Sequence, residues 1–235
     1  MAAHLIQGRE IILPVRVRQA TVGGAMYAVR ADAARAVIAY SGLDVAEAIP
    51  GKAVCALVFI DYTDSDLDAY HEFGVAFLVR PPEMSGPASV SELWRAGVFV
   101  HWLPVDQGFT MEAGRAIWGF PKELADIELR LGSPYKRCLL RKDDRLVIDL
   151  LTRPGVPLPG ATRIPAEAYT HRDGVTRRIP WTMTTRSLRA RPGGSMIRLG
   201  NHPIAKELSE LGLPKRPLLT VTCQAAMSFG PATAL

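Results

Sequence analysis

Met111-Glu112-Ala113-Gly114-Arg115-Ala116-Ile117-Trp118-Gly119-Phe120-Pro121-Lys122-Glu123-Leu124 places one lysine directly behind a Trp-Gly-Phe-Pro turn. Gly119 and Pro121 punctuate the chain there. Trp118, Phe120 and Leu124 offer apolar surface that can wall the amine off from water. A lysine attacks carbonyls only as the neutral amine, and desolvation favours loss of its proton. An unperturbed lysine titrates near about 10.4, so about one in two thousand is neutral at pH 7. Lysine is seldom fully buried, so the bland reading of Lys122 taken alone is a solvated surface group.

Glu112-x-Gly114-Arg115 followed by Phe120-Pro121-Lys122 resembles the signature of the acetoacetate decarboxylase family. Val29-Arg30-Ala31-Asp32 is similar to that family's Arg-x-Asp segment, and Tyr70-His71-Glu72 to its Tyr-x-Glu segment. His202-Pro203-Ile204-Ala205 and Leu211-Gly212-Leu213-Pro214 are similar to family C-termini. The resemblance runs from about residue 15 to the end. It implies a closed, cone-like antiparallel β-barrel with flanking short helices and the reactive lysine inside. It implies that Lys122 forms a Schiff base with a small oxo acid. It implies neither a metal nor an organic cofactor, and it implies a homo-oligomer.

The iminium is an electron sink that accepts the charge left when a carboxylate departs as CO2. The same sink serves retro-aldol cleavage, dehydration and aldol addition, so the lysine specifies an intermediate more firmly than a product. Around it, Glu72 is a candidate proton donor. Arg30 is a candidate partner for a substrate carboxylate, because a guanidinium fork suits that group. Leu57, Trp118 and Phe120 are candidate apolar walls, and Glu112, Arg115 and Glu123 candidate supports. Each has a plainer reading: Arg30 as an exposed arginine heading a helix, Glu72 as a surface glutamate, His71 as a structural histidine.

Two positions depart from the decarboxylase pattern. Glu123 stands where the family usually carries a second lysine, and Leu57 where it carries a glutamate. Two unit charges about 4 Å apart interact by roughly 4 kcal/mol at an effective dielectric of 20, enough to oppose desolvation of the lysine. Glu123 therefore points away, is protonated, or is neutralised by Arg30 or Arg115. These departures keep a second reading open, an inactive barrel that binds a hydrophobic or anionic small molecule.

The 235 residues are 48% hydrophobic and 22% charged, as in ordinary globular proteins. One domain over 1–235 is expected. The net charge of +5 is spread along the chain, densest at Arg177-Arg178 and Arg186 to Arg191, with no nucleic-acid motif. Cys55, Cys138 and Cys223 are dispersed and form no CxxC pair, which suits reduced core thiols in the cytoplasm. No histidine cluster has metal-ligand spacing. No signal-peptide core opens the chain, and no apolar run reaches membrane-span length.

Residues 1–24 read as a loose arm with a strand over Ile11–Val17 and a turn at Gly23-Gly24. A strand over Ala25–Arg30 leads to a helix from Asp32 to about Tyr40. Strands follow over Ala53–Asp61, Tyr70–Val79 and Val98–Pro104. An Asp-rich loop separates the first two, and a polar segment after Pro82 the last two. Phe109–Ile117 is read as a fourth strand, which places Glu112 and Arg115 on opposite faces. Leu124–Leu131 alternates as a half-buried strand, and Lys136–Leu140 and Arg145–Leu151 continue the pattern. A proline-rich connection spans Pro154–Pro165. Strands over Val175–Met183, Ser195–Leu199 and Pro217–Ala226, with a helix over His202–Leu211, complete a mostly β chain.

Overall fold

The computed structural model describes residues 3–84, 95–160 and 162–235. A hairpin of β1 (Ala3–Ile6) and β2 (Arg9–Ile12) opens the chain, turned at Gln7-Gly8 where both residues have positive φ. β3 (Val15–Arg30) runs into α1 (Ala31–Ile38), a 3-10 turn (Ala39–Ser41) and β4 (Glu47–Ile49). β5 (Lys52–Ser65), β6 (Tyr70–Val79) and β7 (Gly97–Val105) come next. Then follow α2 (Gly108–Trp118), β8 (Lys122–Leu124), β9 (Asp126–Arg130), β10 (Lys136–Lys142) and β11 (Arg145–Thr152). The remainder is β12 (Val156–Pro157), β13 (Thr162–Arg172), β14 (Val175–Arg191), β15 (Ser195–Leu199), α3 (Pro203–Glu210), β16 (Leu219–Phe229) and β17 (Thr233–Ala234).

Seven strands close on themselves in the order β3-β5-β6-β7-β13-β14-β16, with β16 returning to β3. The expected closed, mostly β barrel is thus present. Its junctions are antiparallel except one: β7 and β13 meet in parallel over Val98–Phe99 and Ala168–Tyr169. β13 leaves β7 after that short contact. β8 takes over the vacated edge in parallel, with Lys122 opposite Leu103. The lysine thus enters the barrel wall on a three-residue strand.

The two faces of the wall make two cores. All seven barrel strands contribute to one apolar cluster, including Val22, Tyr62, Tyr70, Leu103, Ala168, Ile179 and Cys223. Only the inside of a closed barrel is shared by every strand, so this cluster is the interior. The β1–β2 hairpin (Ile6, Ile11) and α2 (Ala113, Ile117) close it off. The second core lies outside. Tyr27, Phe59, Phe73, Phe77 and Phe99 there pack against β9–β11, α1 and α3. All three cysteines are buried and free. No helix among the described residues is long and apolar enough to cross a membrane.

Several elements differ from expectation. Gly23-Gly24 makes no turn but lies in mid β3, where a Cβ on Gly23 would stand 2.3 Å from the Phe59 ring and one on Gly24 2.7 Å from the Leu57 carbonyl oxygen. Close packing, not turning, demands these glycines. The first residues form the paired hairpin instead of a loose arm. Half of the Asp-rich stretch belongs to β5, because Arg18 pairs with Asp64 and Asp66, and Arg9 with Asp68. The alternation after Leu124 holds: Ile127 is buried while Asp126 and Glu128 are exposed. Residues 85–94 of the polar segment after Pro82 lie outside the described residues. The helices at Ala31–Ile38 and Pro203–Glu210 stand where the sequence placed them.

Phe109–Ile117 is helix, not strand. Thr110, Ala113, Gly114, Ile117 and Trp118 are its buried residues, a spacing of three and four that one helix face produces. The Gln107 side chain accepts from the Thr110 N–H as an N-cap. Gly119 stops the helix in the left-handed conformation (φ 71°), its N–H bonding the Arg115 carbonyl at 3.0 Å.

Candidate active site

The turn after α2 delivers the lysine. Phe120 N–H bonds the Gly114 carbonyl (3.1 Å), and Lys122 N–H bonds the Phe120 carbonyl (2.8 Å). Arg115 Nε donates to the Lys122 carbonyl at 2.6 Å. Gly114 matters for another reason: a Cβ there would lie 2.6 Å from Lys122 Cδ and 2.7 Å from Cε. The side chain of Lys122 therefore runs across a bare patch of α2. In the Glu-x-Gly-Arg segment, the glycine clears the path and the arginine holds the strand.

Lys122 is 3% exposed and ends at Glu72, with Nζ 2.7 Å from Oε2. Glu72 is 6% exposed. The β6–β7 register sets Glu72 opposite Val105, two residues along β7 from the Leu103 that faces Lys122. Neighbouring strands of one barrel thus aim the two charges at each other from the wall. Taking both from water costs several kcal/mol per ion before their attraction offsets it. The amine also lies over the Tyr70 ring, 4.9 Å from its centroid. Tyr62 stacks on Tyr70 (centroids 4.3 Å apart, planes 19°) and donates its hydroxyl to Glu72 Oε1 at 2.9 Å. Burial, and then the neighbouring Glu72 charge, push both phenols well above the ordinary tyrosine range. They stay protonated donors.

Not all the residues singled out in the sequence gather here. Trp118 and Phe120 are buried in the interior cluster, their rings 5.8 Å apart. Leu124 is 48% exposed and walls off nothing. Arg30 is exposed and sits 3.7 Å from Asp32, so its plainer reading fits the geometry. Leu57 pairs in register with Val75 and packs in the outer core, on the opposite face of the wall from the amine. Glu112 is exposed and accepts from Gln7 Nε2 at 2.7 Å, tying the hairpin to α2. It makes no pair with Arg115, which braces the lysine turn alone. His71 faces away from Glu72, 2.8 Å from Asp106 through Nδ1. Tyr62 was not among the residues singled out. It lies in the Asp-rich stretch taken for a loop, and the register that pairs it with Tyr70 exists only once β5 is extended.

Glu123 points away. Strand alternation turns it outward, where it accepts from Trp102 Nε1 at 3.2 Å and pairs with Lys142. Burial opposes its ionisation, but the Lys142 and Trp102 hydrogen bonds outweigh that and hold its carboxyl below the usual 4.5. A carboxyl depressed by folding stabilises above the unfolded value and loses that contribution as pH falls through the folded one. Glu123→Gln is therefore expected to lower the urea midpoint slightly at neutral pH, with the difference vanishing in acid. Labelling of Lys122 should change less than twofold, and a large change would place Glu123 in the site.

Among the described residues, no group of three or more His, Cys, Asp or Glu is placed to hold a metal. Structures similar to this one are acetoacetate decarboxylases and an aldol-type enzyme. An acetoacetate decarboxylase structure aligns with a TM-score of 0.69 at 17% identity, over 96% of this chain and 90% of that one. The acetoacetate decarboxylase of Legionella pneumophila gives 0.71 at 18%, over 94% and 87%. The enduracididine biosynthesis enzyme MppR complexed with pyruvate gives 0.65 at 14%, over 95% and 91%. At these identities the likeness shows the fold. No curated protein matches the sequence. The family model for acetoacetate decarboxylase (ADC) matches residues 6–235, and the chain belongs to that family.

Proposed function

We propose that this protein is a Schiff-base enzyme acting on a small oxo acid through Lys122, decarboxylation of acetoacetate or a related 3-oxo acid being the default reaction. The observation that carries the reading is the amine buried inside the barrel with a single carboxylate, Glu72, 2.7 Å away. Glu72 takes a proton from the ammonium, and the neutral amine attacks the substrate carbonyl. The carbinolamine loses water as Glu72 returns that proton to the departing hydroxyl. The iminium accepts the electron pair of the breaking C–C bond, CO2 leaves, and the enamine takes a proton on carbon before water releases the product.

The same iminium serves aldol or dehydratase chemistry. The pyruvate complex of MppR favours including 2-oxo acids among the substrates. Tyr70 and the interior apolar residues suit a substrate with a short hydrocarbon part. The outward Glu123 supports an active amine, because it removes the nearest sequence-level objection.

The test is borohydride trapping with acetoacetate, pyruvate and longer 2- and 3-oxo acids, read by mass spectrometry of the peptide carrying Lys122. A stable adduct is expected on Lys122 and none in Lys122→Ala; adduct mass and CO2 release then name the reaction. Absence of any adduct near neutral pH would overturn the proposal in favour of a ligand-binding barrel.

A further inference from the structure

We propose that Tyr62 is a positioning residue that keeps the shared proton of the Glu72–Lys122 pair on the amine in the resting site. The inference deepens the function proposed above, since it rests on proton exchange between these two groups.

Three geometric facts carry it. The two donors to Glu72 use different oxygens: Tyr62 takes Oε1 at 2.9 Å and Lys122 takes Oε2 at 2.7 Å. Tyr62 does not compete with the lysine but completes the carboxylate's shell. Next, Tyr62 is 2% exposed, and its ring is pinned by the stack on Tyr70 and by the cross-strand register Tyr62–Tyr70, beside Ile60–Glu72. Its hydroxyl therefore stays aimed at Glu72. Last, the same Tyr70 ring lies under the ammonium. Both tyrosines favour the ionised pair.

The consequence follows from hydrogen-bond chemistry. A charged carboxylate is the stronger acceptor, so the Tyr62 bond weakens when the lysine proton crosses to Glu72. The difference between a charged and a neutral acceptor corresponds to about tenfold in the equilibrium between the two proton positions. The amine is then silent until a carbonyl compound displaces it from the carboxylate, a guard against stray acylation. Other charged groups on the packed elements leave this balance unchanged when Tyr62 alone is altered. Arg115 on α2 is engaged by the Lys122 carbonyl, Glu112 by Gln7, and Glu123 by Lys142. Asp106, after β7, acts on Tyr70 and His71.

Competitive acetylation with trace acetic anhydride tests this without any oxo acid, so it can fail independently of the trapping experiment. Lys122 acetylation at pH 7, normalised to the remaining lysines, is expected to be about tenfold faster in Tyr62→Phe than in the parent. In a Glu72→Gln background the added Tyr62→Phe change should alter it less than twofold. Easier access alone would raise labelling in both backgrounds and overturn the proposal, as would an unchanged or slower Tyr62→Phe rate. Should Tyr62→Phe fail to fold, the parent grown with 3-fluorotyrosine provides the second measurement. Its more acidic phenols donate more strongly, so Lys122 acetylation should slow severalfold; faster or unchanged labelling would equally overturn the assignment.

Discussion

Gly114→Ala is expected to abolish imine formation at Lys122, by at least a hundredfold in trapping yield, and to destabilise the protein. Two effects compete. In an ordinary helix interior this exchange stabilises by about 0.5–1 kcal/mol, because glycine loses more backbone freedom on folding. Here the new methyl would stand 2.6–3.3 Å from three side-chain carbons of Lys122. Lysine is flexible, but this one is fixed at its far end by Glu72 and at its backbone by Arg115. Moving the stem means breaking the buried pair, and forced overpacking typically costs about 1–3 kcal/mol. The clash wins over the propensity gain, so the urea midpoint should fall. A stabilised variant that still traps substrate would show that the lysine moves freely and that its path over α2 is not fixed.

Glu72→Leu should produce the largest loss of stability in the site, about 3–5 kcal/mol, as removal of one partner from a buried pair does. The ammonium loses its only printed counter-charge, and the Tyr62 hydroxyl loses its acceptor. Adding Lys122→Met should recover most of the loss, because a buried ion pair exchanged for apolar groups of similar volume is often neutral or stabilising. Both proteins should fail to trap any oxo acid. Urea unfolding of the two single variants and the double gives the coupling directly. A Glu72→Leu cost below about 1 kcal/mol would mean the pair is solvated or lightly held.

The sequence carried the lysine and its turn, most barrel strands and two of the helices. It carried them because period-two alternation and glycine–proline punctuation are local. What it hid depended on register. Leu57 and Glu72 lie on adjacent strands, yet only pairing Leu57 with Val75 reveals that they face opposite cores. Tyr62 looked like part of a solvated acidic loop until Arg18 was seen to neutralise the aspartates beside it and let β5 continue. The helix over Gly108–Trp118 was legible in principle. Its buried positions follow a three–four spacing, but an apolar run directly after a strand tempted a strand reading. Gly23-Gly24 misled for a physical reason, since glycine serves close approach as readily as turning.

The joint between β3 and β16 also governs when this chemistry can exist. That seam couples Val15–Met26 to Leu219–Phe229, so the wall stays open until nearly the whole chain is available. At about 5–20 residues per second, a ribosome releases β16 on the order of 10 s after Lys122. During that interval the amine stands in water as an ordinary ammonium ion, inert toward the carbonyl metabolites around it. Closing the last seam is the step that dries the chamber, so reactivity and completed folding arrive together.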